Sequence, residues 1–213
     1  MNKRINKGLD SKFIKNVIIM LTGTVGAQVV LLALSPVITR LYGPEAFGIM
    51  GTFNSMINII VPIAALTYPV AIVLPKSEEK AKYLIFLSLL ISILISVFSL
   101  IVITVFNKQI VSLLNLHAID KYLYFIPLVI IFSALMQVSE QWLNRTNQFS
   151  INARVTFLQS LIVNGSKVGV GIYYPYASVL VFFSVLANGI KAVMMIILAK
   201  KPFKISQTMK KNN

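Results

Sequence analysis

Residues 155–199 read VTFLQSLIVNGSKVGVGIYYPYASVLVFFSVLANGIKAVMMIILA, 45 residues in which Lys167 and Lys191 are the only charges. As helix, rising about 1.5 Å per residue, such a stretch is roughly twice as long as a bilayer core is thick. Tyr173-Tyr174-Pro175-Tyr176 stands near its middle. Proline disfavours an uninterrupted helix there, and tyrosine prefers the boundary between lipid and water. The stretch therefore predicts two membrane crossings, over 155–173 and 177–199. The competing reading takes only the uncharged run 168–190 as a single span.

The rest of the chain has the same character. Of its 213 residues 57% are hydrophobic and 12% charged, against about 45–50% and about 25% in a soluble domain. Uncharged runs at 16–39, 47–75 and 83–106 are each long enough to cross a bilayer. A fourth, 122–139, extends past Glu140 to Asn144. The expectation is an all-α polytopic membrane protein: six transmembrane helices in one bundle, at about 16–39, 47–75, 83–106, 122–144, 155–173 and 177–199. A basic N-terminal segment, 1–15, and a basic tail, 200–213, flank the bundle.

Charge placement decides between six spans and five. The net charge of +14 would point to nucleic acid in a soluble chain. Here six spans put 15 basic residues on one side, from the N-terminal segment, Lys76, Lys80, Lys82, Arg145, Arg154 and the tail, and only Arg40, Lys108 and Lys121 on the other. That bias predicts both termini in the cytoplasm. Five spans would export the basic tail. No nucleic-acid partner is expected. With no cysteine and one histidine, His117, neither a disulfide framework nor a Cys/His metal set is available, and no cofactor is implied. The first apolar run exceeds a signal-peptide core and lacks a clear cleavage site, so it reads as a permanent span.

Polar residues inside the spans recur at helical spacing, which places them on one face of each helix. Thr24, Gln28, Ser35 and Thr39 mark the first, Asn54 and Asn58 the second, and Ser88, Ser92, Ser96 and Ser99 the third. Ser133, Gln137, Glu140, Gln141 and Asn144 follow on the fourth, Thr156, Ser160, Asn164 and Lys167 on the fifth, and Ser184, Asn188 and Lys191 on the sixth. Hydroxyls and amides at such positions commonly tie helices together, which is the expectation for the serines of the third span. The density on the fourth span points instead to a water- or substrate-filled cavity. Trp142 is expected as an interfacial anchor.

An ionisable side chain inside a bilayer is costly and usually faces an interior where it serves a function. Glu140, Lys167 and Lys191 are of this kind. Depth counting puts Glu140 and Lys191 near the cytoplasmic side, close enough for an ion pair, and Lys167 deeper, without an obvious partner. The lysines would offer a cationic surface to an anionic head group. Gly165 and Gly169 bracket Lys167 at a spacing that lets helices approach closely. Prolines within spans, Pro36, Pro62, Pro69 and Pro127, would permit kinks.

At the end of the first span stands Ser35-Pro36-Val37-Ile38-Thr39-Arg40-Leu41-Tyr42-Gly43-Pro44-Glu45-Ala46-Phe47-Gly48. Gly43 and Pro44 suit a sharp turn between antiparallel helices. Arg40 and Glu45 flank it at the outer interface, where they can pair or touch lipid phosphates. This stretch resembles the signature of the polysaccharide flippase family, which comprises O-antigen and capsule repeat-unit flippases and is related to lipid II flippases and multidrug and toxin extrusion transporters. The spacing of the six spans resembles the family's N-terminal half, whereas members usually have twelve to fourteen spans in two lobes. The resemblance thus implies a half-length or truncated member that works with a second lobe or a second copy, in the bacterial cytoplasmic membrane.

What the resemblance implies about function is translocation of an undecaprenyl-diphosphate-linked oligosaccharide from the cytoplasmic to the outer leaflet, without enzymatic chemistry. Lys167, Lys191, Gln137, Gln141, Asn144, Asn164 and Asn188 would contact this substrate, with Glu140 pairing or coupling. Rival readings are an antiporter of drugs or small amphiphiles, a non-transporting partner of glycan-synthesis enzymes, and a membrane glycosyltransferase. The last needs surface acidic residues, for which Glu78-Glu79 among lysines is a poor candidate.

Overall fold

The computed structural model describes residues 2–65, 68–75 and 77–200, with side chains from residue 14 onward apart from 63–68. The tail beyond Lys200, the basic side chains of the first twelve residues and Lys76 lie outside the described residues. Every regular element among the described residues is helical. These are α1 (Asn2–Ala65), α2 (Glu78–Leu113), α3 (Ile126–Arg145), α4 (Phe149–Gly171) and α5 (Ala177–Leu198), with 3-10 helices at Tyr68–Val73 and His117–Phe125.

Helix α1 is two arms joined at one residue. Gly43 has φ 71 and ψ 171, a conformation essentially confined to glycine, and Pro44 restarts the helix beyond it. The first arm runs beside α4 in the same direction. Gly23 meets Ala153, Gly26 meets Phe157, the Ser160 hydroxyl donates to the Ala27 carbonyl, and Tyr42 reaches Lys167 and Gly171. The second arm turns back. Ala46 packs with Leu180 and Phe53 with Val181 and Val185, and Ile72 beyond the arm packs against Val138 and Trp142. No loop separates residues 39 and 47, because Gly43 alone supplies the reversal.

Other boundaries also depart from the expected spans. The helix expected over 47–75 is described as far as Ala65, and Tyr68–Val73 within the expected span is a 3-10 turn. The third helix runs on to Leu113, bending at Phe106 (φ -109, ψ 16). The expected loop 107–121 therefore shrinks to a few residues. Asn115 and Asn147, both at positive φ, end α2 and α3; asparagine tolerates the left-handed conformation better than most side chains.

α2 runs antiparallel to α3, with Ser96 donating to the Pro127 carbonyl at 2.8 Å. Ser88, Ser92 and Ser96 lie buried on the packed face. Ser88 and Ser92 bond one turn back within their own helix, to the carbonyls of Leu84 and Ser88. The opposite face is coated with exposed Leu94, Phe98, Ile101 and Val105, and the first arm of α1 similarly shows Leu21, Val25, Val29 and Leu32. Contiguous apolar surface of this extent is what a lipid-facing helix presents.

Among the described residues four helical segments are long and apolar enough to cross a membrane: Ile14–Pro62, Glu78–Leu113, His117–Arg145 and Ala177–Leu198. α4 is not among them; it carries Asn152, Arg154, Gln159, Asn164 and Lys167. It is the most polar of the long helices, and it lies against the first arm of α1, α3 and α5, where Asn152 meets Glu140 and Lys167 meets Ser184.

The close approaches fall on glycines other than the pair around Lys167. A Cβ on Gly23 would sit 2.5 Å from the Ala153 backbone, and one on Gly171 would sit 2.5 Å from the Tyr42 hydroxyl. Nothing lies within 4 Å of a Cβ on Gly165 or Gly169. The expected small-residue contact is thus made at Gly23 of α1 and at Gly171, two residues beyond Gly169 on α4. Trp142 is likewise no interfacial anchor: it is 3% exposed, packed with Ile72, Ala81, Ile85 and Val138.

A polar column along α5 and a cleft at its Lys191 end

Ser184, Asn188 and Lys191 share one face of α5 at helical spacing, and each meets a different partner. The Lys167 ammonium donates to the Ser184 hydroxyl at 3.2 Å. The Asn188 amide donates to the Ser133 hydroxyl at 2.8 Å. Lys191 lies 3.7 Å from the Glu140 carboxylate. Directions fit, since α5 runs parallel to α3 and antiparallel to α4. Gly189 permits the α3 approach, a Cβ there lying only 3.0 Å from the Phe132 ring. The result is a polar column along one face of α5.

Its Lys191 end opens into a cleft of about 190 Å³ lined by Met20, Thr24, Glu140, Asn152, Ala153, Thr156 and Lys191. One Glu140 oxygen accepts from the Asn152 amide at 3.2 Å, and the other faces Lys191. Both charged side chains are mostly buried, 29% exposed for Glu140 and 17% for Lys191. A separation of 3.7 Å is long for a charge-assisted bond, so the pair is close but leaves room for competing partners. The Thr24 hydroxyl is spent on its own helix, donating to the Met20 carbonyl.

The remaining expected residues divide. Gln137 and Gln141 are half-buried on α3 but do not line the cleft. Asn144 Oδ1 is buried with no hydrogen-bond partner among the described residues. Asn164 is turned into packing: its amide donates to the Ser160 carbonyl and hydroxyl, and Ser160 in turn holds α1. Arg40 and Glu45 are both exposed, and among the described residues no ion pair joins them. Glu78 is held by Lys82 at 3.0 Å one turn away.

Three residues gained significance only in three dimensions. Asn152 lies just before the expected start of the fifth span, although its spacing to Thr156 and Ser160 continues that span's polar face. Tyr42 donates at 2.6 Å to the Lys167 carbonyl. Arg145, read from the sequence only as a cytoplasmic charge, donates to the carbonyls of Ile72, Val73 and Ser77. It ties the 3-10 turn and the start of α2 to the end of α3.

Apolar helices of membrane-spanning length, packed beside a column of partly buried polar groups, define an integral membrane protein with a polar seam. A family model described as polysaccharide biosynthesis protein matches residues 37–212. The chain belongs to that family, and the matched region begins just before Thr39-Arg40-Leu41-Tyr42-Gly43-Pro44. No curated protein and no solved structure matches the chain.

Proposed function

We propose that the protein carries a lipid-linked oligosaccharide, of the undecaprenyl-diphosphate type, from the cytoplasmic to the outer leaflet for O-antigen, capsule or exopolysaccharide synthesis. With the two arms of α1 counted separately the chain crosses six times, and both termini lie in the cytoplasm of a cell bounded by that membrane. A second lobe or a second copy faces the polar column and completes the path. Family membership supplies the link to polysaccharide synthesis. The observation that carries translocation is the polar column itself, which extends along α5 from the Glu140–Lys191 cleft to Lys167.

Lys167 is the cation suited to the diphosphate. Among the described residues no carboxylate pairs with it, and Ser184 occupies only one of its three donors. The polyprenyl tail stays in lipid while the head group moves along the column, so nothing is covalently changed. Reconstitution in vesicles with labelled lipid-linked glycan in one leaflet tests this. The label should reach the other leaflet faster than in protein-free vesicles, and Lys167→Ala should slow it about tenfold, a loss of about 1.4 kcal/mol of barrier lowering. Label movement no faster than without protein would refute translocation. Stable association with glycan-synthesis enzymes would then favour an assembly role.

A further inference from the structure

The cleft differs from the rest of the column in its charge. Among the described residues Glu140 and Lys191 are the only ionisable groups lining it, opposite in sign and 3.7 Å apart, so their charges cancel. A diphosphate or a sugar carboxylate entering it would approach the Glu140 carboxylate as closely as the ammonium. A cation would meet Lys191 in the same way. Like charges brought together away from water repel strongly, and such contacts exclude a ligand as effectively as attractive ones select it.

An uncharged polyol avoids both repulsions. Each of its hydroxyls donates one hydrogen bond and accepts others, and the cleft presents both kinds of partner at close range. Glu140 keeps acceptor capacity beyond the bond from Asn152, Lys191 keeps donors not directed at Glu140, and Asn152 and Thr156, whose hydroxyl donates to the Asn152 amide oxygen at 3.5 Å, add a second amide N–H and hydroxyl lone pairs. Met20 and Ala153 supply apolar surface for the C–H face of a ring. A volume of about 190 Å³ equals about six waters at about 30 Å³ each. That accommodates one pyranose ring rather than an oligosaccharide or a polyprenyl tail.

We propose that Glu140, Asn152, Thr156 and Lys191 form a subsite for a single uncharged sugar ring, selected by its hydroxyl pattern, while phosphate is excluded by Glu140. This rests on the translocation reading and names what the Lys191 end of the path recognises. The ion pair then acts as a neutral hydrogen-bonding frame and not as an anion trap. Removing the negative charge alone should convert one kind of site into the other.

The test uses the full chain in lipid nanodiscs, free of sugar-based detergent, titrated with methyl glycosides of neutral hexoses and N-acetylhexosamines, a methyl hexuronide and inorganic pyrophosphate. Binding is read by saturation-transfer NMR. At least one neutral glycoside should bind, with affinity reduced about tenfold or more in Asn152→Leu and Glu140→Gln, and without competition from pyrophosphate. Glu140→Gln keeps the side-chain shape and should newly bind pyrophosphate; its thermal midpoint verifies folding. Preference of the unsubstituted protein for pyrophosphate or hexuronide, failure of every neutral glycoside, or sugar binding unchanged in Glu140→Gln would each overturn the proposal. Vesicle translocation separates the two ideas. Movement of lipid-linked glycan without neutral-sugar binding sinks only the subsite, and sugar binding without movement sinks only translocation.

Discussion

The hydroxyl of Tyr42 donates a 2.6 Å hydrogen bond to the backbone carbonyl of Lys167. Tyr42 immediately precedes the glycine at which α1 reverses, and Lys167 is the lysine whose ammonium meets α5. One contact therefore couples the reversal of α1 to the turn of α4 that carries the charge. Gly171, one turn further along α4, has no side chain because the Tyr42 hydroxyl and Leu41 occupy that space. Tyr42 is itself 6% exposed, so the bond is shielded from competing solvent.

Tyr42→Phe keeps the ring and removes only this bond. Unfolding stability in detergent should fall by about 0.5–1.5 kcal/mol, the usual net value of one hydrogen bond. Calorimetry or a thermal-shift series against the unsubstituted protein measures it; an unchanged midpoint would mean the contact contributes nothing.

Gly43 and Gly48 make a matched pair, since nothing lies within 4 Å of a Cβ at either. They differ in backbone. Gly43→Ala places a side chain at φ 71 and should cost about 1–3 kcal/mol. Gly48→Ala within the second arm should be neutral or add up to about 1 kcal/mol, because alanine loses less conformational freedom in a helix than glycine. Equal midpoints for the two variants would show that the reversal does not depend on glycine.

Crowding sets Gly171 apart from Gly165. Gly171→Ala must displace the Tyr42 hydroxyl or Leu41, and Gly23→Ala must push α1 away from Ala153. Each should destabilise by about 1–3 kcal/mol, as overpacking of a close contact does. Gly165→Ala, with open space around it, should leave the midpoint unmoved or slightly raised. Cysteine pairs across α1 and α4 would report the widening directly, through slower cross-linking in the Gly23 variant.

Glu140 and Lys191 should be coupled. Lys191→Met leaves an uncompensated carboxylate and Glu140→Gln an uncompensated ammonium, both mostly removed from water. Each single change should cost about 1–2 kcal/mol, below the roughly 3–5 kcal/mol of a fully buried pair because both groups retain some exposure. The double variant should be more stable than the sum of the two losses predicts. Strict additivity in that cycle would show that the two side chains do not interact.

The amino-acid sequence by itself determined the solvent and the secondary structure. Long uncharged runs have no stable alternative to helix in lipid, because every backbone N–H and C=O must find its partner within the segment. The reversal at Gly43 was also legible, since glycine followed by proline marks a break wherever it falls. Depth counting brought Glu140 and Lys191 to a similar level, but level is not contact. Tertiary structure alone decided that α5 turns Ser184, Asn188 and Lys191 toward three partners on two helices. It also decided that Asn164 is consumed in packing while Asn152 lines the cleft, and that Trp142 is buried. Helical periodicity specifies which residues share a face but not what that face meets. The rotation of each helix about its own axis depends on side chains distant in sequence, such as Tyr42 with Gly171 and Phe132 with Gly189, which fit together only after the helices have assembled.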